Sequence, residues 1–235
     1  MSTVRQRVYP MLPAPVHTGA GEFPVERAAA AFRGFLESLN LDLADPNLAG
    51  TEHRVARAYE EILGGLRRAE PELSTFPNTK RYAGMVAVTD IPFYSICAHH
   101  FLPFFGSAHV AYVPGERLVG LSKLTRVVDH YARRPQLQED LTEQVAALLE
   151  ERLAPAGLLV SVEARHLCME MRGVSRPGVT TTTTAARGTL RDERLQQRFF
   201  ARFCGAGAVA STKGTSRHLH QGTLRSSEHP KEGRP

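Results

Sequence analysis

Two short stretches of this 235-residue chain gather the side chains that hold metals and move protons. One reads Ser95-Ile96-Cys97-Ala98-His99-His100 and the other His166-Leu167-Cys168. Cys97 and His100, three positions apart, can turn a thiolate and an imidazole toward one ion, and that donor pair suits zinc. His166 and Cys168 end a strand-like run, where a period of two puts both on one face. Three protein ligands drawn from these segments leave a fourth position for water, as catalytic zinc requires; a closed structural site takes a fourth Cys or His instead. Histidines left over beside the metal, with ordinary pKa values near about 6.5, are suited to proton transfer. One Cys-x-x-His is a weak signal, because most Cys and His residues pack or face solvent. Two of the three cysteines lying within three positions of a histidine make it specific. Cys204 has no neighbouring histidine and reads as a bystander. His17, His218, His220 and His229 fall in the chain ends, and His53, His109 and His130 occupy ordinary surface or strand positions.

A second group handles anions. Gly120-Leu121-Ser122-Lys123-Leu124-Thr125-Arg126 opens a helix, whose free N–H groups and partial positive charge favour phosphate. Lys123, Arg126, His130 and Arg133 form a basic stripe along it, although such a stripe is more often a solvated face. Arg172 adds a cation four residues past Cys168. Gln138 and Glu139 start the next helix as an amide and a carboxylate that can read the edge of a polar heterocycle. Glutamate at a helix start is also common for dipole reasons. Together these features point to a nucleotide whose ring is attacked by water.

The elements that must position these groups are legible in the apolar pattern. Val25 to Leu39 has helical composition, and Thr51 reads as the N-cap of a helix running to about Leu66. Met85 to Tyr94 and His109 to Val113 are strand-like. Leu124, Val127, Val128 and Tyr131 fall at i, i+3, i+4 and i+7 on a helix opened by Ser122 and ended by Pro135. A second helix carries Leu141, Val145, Leu148 and Leu149. Leu158 to Arg165 and the β-branched run Val179 to Thr184 are strands, and a helix from Arg191 to Phe203 comes last. Strands on both sides of a central helix pair predict an α+β fold with a largely antiparallel sheet.

Composition agrees with one sizeable domain: 42% apolar and 23% charged residues describe a globular chain. No run reaches the roughly 18 to 20 apolar residues of a membrane span. Pro10, Pro13 and Pro15 interrupt any secretory h-region after Arg5 and Arg7. Three cysteines make no disulfide framework, so a reducing, cytoplasmic location is expected. The net charge of +5 suggests nucleic acid until it is located. Residues 204–235 carry +3 and residues 1–24 carry +1, which leaves 25–203 almost neutral. Residues 1–24 read as a flexible arm, 25–203 as the patterned domain, and 204–235 as a flexible basic tail.

The segments Ser95–Phe104, Gly120–Arg126, Arg134–Glu139 and His166–Gly173 resemble, in this order, those of the GTP cyclohydrolase I family, over about residues 25–203. The resemblance implies zinc held by Cys97, His100 and Cys168, with His99 and His166 as the catalytic histidines. It implies triphosphate contacts from Lys123, Arg126 and Arg172, guanine recognition by Gln138 and Glu139, and Ser122 near the ribose. The implied reaction opens the GTP imidazole ring at C8, releases formate and gives 7,8-dihydroneopterin triphosphate. The implied architecture is the tunnelling fold, with sheets of several subunits closing a barrel in a homodecamer of two stacked pentamers and sites at subunit interfaces.

Three positions depart from the family pattern. Ala98 stands for Glu, Asp140 for Arg, and Glu52 for the Pro after Thr51. None removes a metal ligand or a catalytic histidine. A non-catalytic paralogue that binds zinc and nucleotide is the competing reading, and the intact pair His99 and His166 argues against it. A nucleic-acid-binding zinc protein lacks a fourth ligand and keeps its basic charge in the tails.

Overall fold

The computed structural model describes residues 21–203. The expected tail from 204 onward, Cys204 included, and all but the last four residues of the expected arm lie outside them. Two compact units divide the chain after Gln196. Of the second, only 197–203, the end of a helix, is described. The sheet and its covering helices belong to the first.

Helices α1 (Val25–Ser38) and α2 (Thr51–Ile62) come first, with a 3-10 turn at Gly64–Leu66. Next in order are β1 (Thr75–Pro77), β2 (Val86–Cys97), β3 (Pro103–Val113), β4 (Arg117–Val119), α3 (Leu121–Ala132), β5 (Pro135–Gln136) and α4 (Gln138–Leu153). The series ends with β6 (Gly157–His166), a single-turn helix α5 (Leu167–Glu170), β7 (Thr180–Gly188), a 3-10 turn and α6 (Glu193–Phe203). A five-stranded sheet has the order β5-β2-β3-β6-β7, antiparallel apart from the short β5, and β1 pairs with β4 in a separate ribbon. The fold is α+β.

The periodic apolar positions of α3 and α4 cover one face of this sheet. Leu124, Val127, Val128 and Tyr131 join Leu141, Val145 and Leu149 in one core with Phe93, Phe104, Val110, Val160 and Val162. Strand β2 reaches that core by changing parity. Val86 to Val88 pair regularly with Tyr112 to Val110, then the register slips and Ile91 faces Ala108. Asp90 absorbs the extra residue at φ +57°, and its N–H donates to His109 Nδ1 at 3.2 Å. Beyond this bulge Ile91, Phe93, Ser95 and Cys97 are buried while Pro92 and Tyr94 are exposed.

Several expectations change. The N-caps are Gly50 and Gly120, so Thr51 and Ser122 lie inside the first turns of their helices, and neither makes a capping hydrogen bond. The left-handed φ of +73° at Gly50 is cheap only for glycine. Helix α2 stops at Ile62 rather than Leu66, because the chain tightens into the 3-10 turn where Gly65 lies against Arg133 O. Glu52 is buried beneath Arg33, at 3.3 Å. Its carboxyl is held below the usual carboxylate range, first by a backbone hydrogen bond and then by the Arg33 charge, with burial opposing them. Asp140 sits in the acidic first turn of α4, favoured by the helix dipole.

The basic stripe also breaks, because His130 is buried and its Nε2 lies 2.6 Å from an Arg134 nitrogen. A guanidinium only donates, so His130 accepts and is neutral. Arg134 further donates to Gly65 O (3.0 Å) and Gln144 Oε1 (3.1 Å), and its guanidinium lies over the Tyr131 ring. Gln144 donates to Gln136 Oε1, and the Gln136 amide reaches Ser95 Oγ and Tyr131 O. This network ties α3 and α4 to the strand that ends at Cys97. Burial first, then the Arg134 charge and the weaker Arg68 charge, push the His130 pKa down; Glu70 and Asp129 oppose them. A depressed pKa gives stability that is present above about 6.5 and lost as pH falls toward the folded value. The denaturation midpoint is therefore expected to drop between pH 7.5 and 5, and to drop less in His130→Gln, whose amide oxygen still accepts from Arg134. Equal drops in both proteins would remove His130 as the cause.

Among the described residues no helix is long and apolar enough to cross a membrane.

Candidate metal centre and its neighbours

Cys97 closes β2, buried, at the point where the strand turns back toward β3. Its N–H donates to Leu102 O (2.8 Å) and its carbonyl accepts from Phe101 N–H (2.9 Å), so residues 98–102 form a tight loop. Ala98 N–H donates to Gln136 O of β5 at 3.1 Å. The loop exposes His99 and His100, with ring centroids 6.1 Å apart and rings nearly perpendicular.

The third ligand arrives from another part of the sheet. Strand β6 ends at His166, and Cys168 is the second residue of α5, not a strand residue on the same face as His166. The register explains this. His166 pairs with Phe104, so the next pairing would fall on Pro103, which has no N–H to give. The chain coils instead, and that turn brings Cys168 Sγ to 3.9 Å from Cys97 Sγ. Arg165 grips Glu170 with two hydrogen bonds of 2.7 and 2.5 Å and so pins the turn. The Arg165–Glu170 pair touches none of the expected ligands and carries no sequence signal of its own.

Ligand atoms of Cys97, His100 and Cys168 all lie within 4.8 Å of one another. Two thiolates at about 2.3 Å from a tetrahedral zinc stand about 3.8 Å apart, so the 3.9 Å sulfur separation fits that ion. It is far too long for a disulfide. Burial, then the neighbouring Cys97 sulfur, raise the Cys168 thiol pKa, and the Arg172 charge works the other way. Two thiols in this position favour a cation as their common partner.

His166 stands beside this cluster with its ring stacked flat on Phe104, centroids 4.8 Å apart and planes at 2°. Its Nε2 is 2.8 Å from Gln138 Oε1. The Gln138 amide nitrogen donates to Val162 O (3.0 Å), Thr181 O (2.9 Å) and Thr183 Oγ1 (3.1 Å), so its oxygen must be the end that faces His166. His166 then donates from Nε2 and keeps a free lone pair on Nδ1. Burial lowers its pKa, with the Glu139 charge opposing. Gln138 is itself buried, and both ends of its side chain are engaged within the chain. Of the Gln138–Glu139 pair, only Glu139 is exposed.

The expected anion contacts lie at two places. Ser122, Lys123 and Arg126 occupy the first two turns of α3, with Ser122 and Arg126 exposed and Lys123 half-buried. Arg172 is exposed just past α5. Among the described residues none of the three cations has an ion-pair partner, which leaves their charge free for a ligand. A cavity of about 350 Å³ lined by Glu70, Glu72, Leu73, Leu148 and Arg152 lies elsewhere. Glu70 is already engaged by Tyr131 (2.8 Å) and Arg152 (3.9 Å), and nothing in the cavity matches the metal cluster.

The family model described as GTP cyclohydrolase I matches residues 28–204. A protein of Clostridioides difficile (strain 630) named GTP cyclohydrolase 1 is 51% identical over 166 residues, covering 69% of this chain and 87% of its own. One of the same name from Carboxydothermus hydrogenoformans is 49% identical over 164 residues, covering 69% and 85%. Another, from Streptococcus agalactiae serotype Ia, is 46% identical over 173 residues, covering 73% and 92%.

Proposed function

The chain belongs to the GTP cyclohydrolase I family, and on that premise we propose that it hydrolyses the imidazole ring of GTP at C8 and rearranges the product to 7,8-dihydroneopterin triphosphate, with formate as the carbon released. The observation that carries this reading is the meeting of Cys97, His100 and Cys168 within 4.8 Å, next to a histidine held in one tautomer.

Zinc at this cluster would supply Lewis acidity, which makes water a competent nucleophile near neutral pH. The remaining work falls to the chain. His166, neutral because it is buried, offers Nδ1 as a proton acceptor while Gln138 holds Nε2. His99, exposed on the loop, can pass a proton on the solvent side. Lys123, Arg126 and Arg172 take the triphosphate, with the N–H groups opening α3 beside them. Ser122 contacts the ribose. Glu139 accepts from the guanine N1–H and exocyclic amine, a donor pattern that adenine lacks.

The chain is also proposed to assemble into rings. Among the described residues, β7 and most of β2 at the opposite side of the sheet have no strand beside their outer edges. Two different open edges favour head-to-tail pairing of copies, which closes a ring. A barrel of the tunnelling type, in two stacked pentamers, satisfies both edges and covers the exposed flank of His99, His100 and Arg172. Free thiols at the site suit a cytoplasmic setting, and the product suits pterin, folate or 7-deazapurine synthesis.

The test is incubation of zinc-loaded protein with GTP, following formate release and pterin fluorescence after oxidation, beside His166→Ala. Both products, absent from the variant, are expected. Formate alone would mean that ring opening is retained and closure lost. Neither product from a zinc-loaded oligomer would leave the chain a nucleotide-binding paralogue.

A further inference from the structure

Phe101 comes directly after His100 and has a φ of +55°, a left-handed conformation disfavoured for a bulky side chain. The tight loop demands it, since the chain must turn from Cys97 back to Pro103 while closing the Phe101–Cys97 and Cys97–Leu102 hydrogen bonds. A conformation of this kind persists only where its surroundings enforce it. The Phe101 side chain is 47% exposed. Its aromatic contact is with Tyr59 of α2, at 5.6 Å between centroids and 23° between planes. Helix α2 supplies none of the metal or proton-transfer residues, and among the described residues the Tyr59 hydroxyl has no hydrogen-bond partner. The ring, not the hydroxyl, makes the contact.

We propose that Tyr59 is a positioning residue for the metal ligand His100. The Tyr59 ring, stacked on Phe101, holds the loop in the left-handed turn that aims the His100 imidazole at the Cys97 and Cys168 sulfurs. The role rests on the reading of these three residues as ligands. It gives the N-terminal helices a part in metal binding that their own residue types do not reveal.

The test loads the full chain with cobalt(II), whose visible bands report coordination geometry, and measures zinc affinity by competition with a chelator. Tyr59→Ala is expected to weaken zinc binding about 10-fold, the size of other outer-sphere effects, and to change the cobalt bands. Tyr59→Phe keeps the ring and should match the parent protein in both readouts. Phe101→Leu should lose as much as Tyr59→Ala, and the double variant should lose no more than either single one, because one contact is being removed. Native affinity and bands in Tyr59→Ala would overturn the proposal, as would a double variant whose loss is the product of the single losses. If Tyr59→Ala does not fold, unchanged zinc affinity in Phe101→Leu overturns it equally. Absence of thiolate-to-cobalt absorption in the parent protein is a separate result; it refutes the ligand set, and the role of Tyr59 falls with it.

Discussion

Cys168→Ser is expected to give a folded protein whose zinc affinity has fallen more than about 100-fold and whose formate release from GTP is lost. Serine nearly matches cysteine in shape, and Cys168 is only partly buried on a one-turn helix, so the substitution leaves little strain. What it removes is the soft anionic donor. A hydroxyl stays protonated near neutral pH and is a poor partner for zinc, so the site keeps one thiolate and one imidazole. Cys97→Ser should lose the metal as well, with a greater cost in stability, since Cys97 belongs to the buried core. Metal content after dialysis against a chelator, read beside circular dichroism, decides the matter. A folded Cys168→Ser protein with a full complement of zinc would rule out this ligand set.

Gln138→Leu is expected to lower kcat by about 100-fold or more while leaving KM for GTP within about threefold. The substitution frees His166 Nε2–H from its acceptor, so the ring can turn or change tautomer and Nδ1 is no longer presented in one place. It also leaves Val162 O and Thr181 O without the Gln138 donor, at a stability cost of about 1–3 kcal/mol. If Gln138 reads guanine instead, the result is different. KM would then rise, and discrimination between GTP and ATP would fall with kcat little changed. The split between the two constants separates the roles, and an unchanged kcat would sink the positioning one.

The sequence shows the donor types clearly because soft sulfur and imidazole donors seldom cluster so closely without a metal to share. It also shows the core helices, since Leu124, Val127, Val128 and Tyr131 keep one face for the sheet. It cannot show how Cys168 reaches Cys97, because that turn is forced by Pro103 on the neighbouring strand, more than 60 positions earlier. The capping expectations at Thr51 and Ser122 fail for a local reason: the adjacent glycines Gly50 and Gly120 set where each helix begins. Gln138 reads as a ligand-facing amide, yet its partners are backbone oxygens of β6 and β7 that only the folded sheet brings under it. His130 looks like one more surface cation until Arg134 turns back over it. For Cys168 and Gln138 a distant segment decides, and the local pattern carries no trace of it.

The bulge at Asp90 acts as a reading-frame device for the strand. Cys97 lies seven positions beyond it, about 23 Å of extended chain, and the bulge lets Val88 and Ile91, three positions apart, share the inward face. Deletion of Asp90 would regularise the ladder and keep Ile91 opposite Ala108, so Phe93, Ser95 and Cys97 would stay inward. Loss of one residue between Ile91 and Cys97, with pairing to β3 kept upstream, would instead turn every later side chain to the other face, and the first sulfur would point away from the second. A single deletion is thus harmless at the bulge and erases the metal site a few positions further on, without touching any ligand.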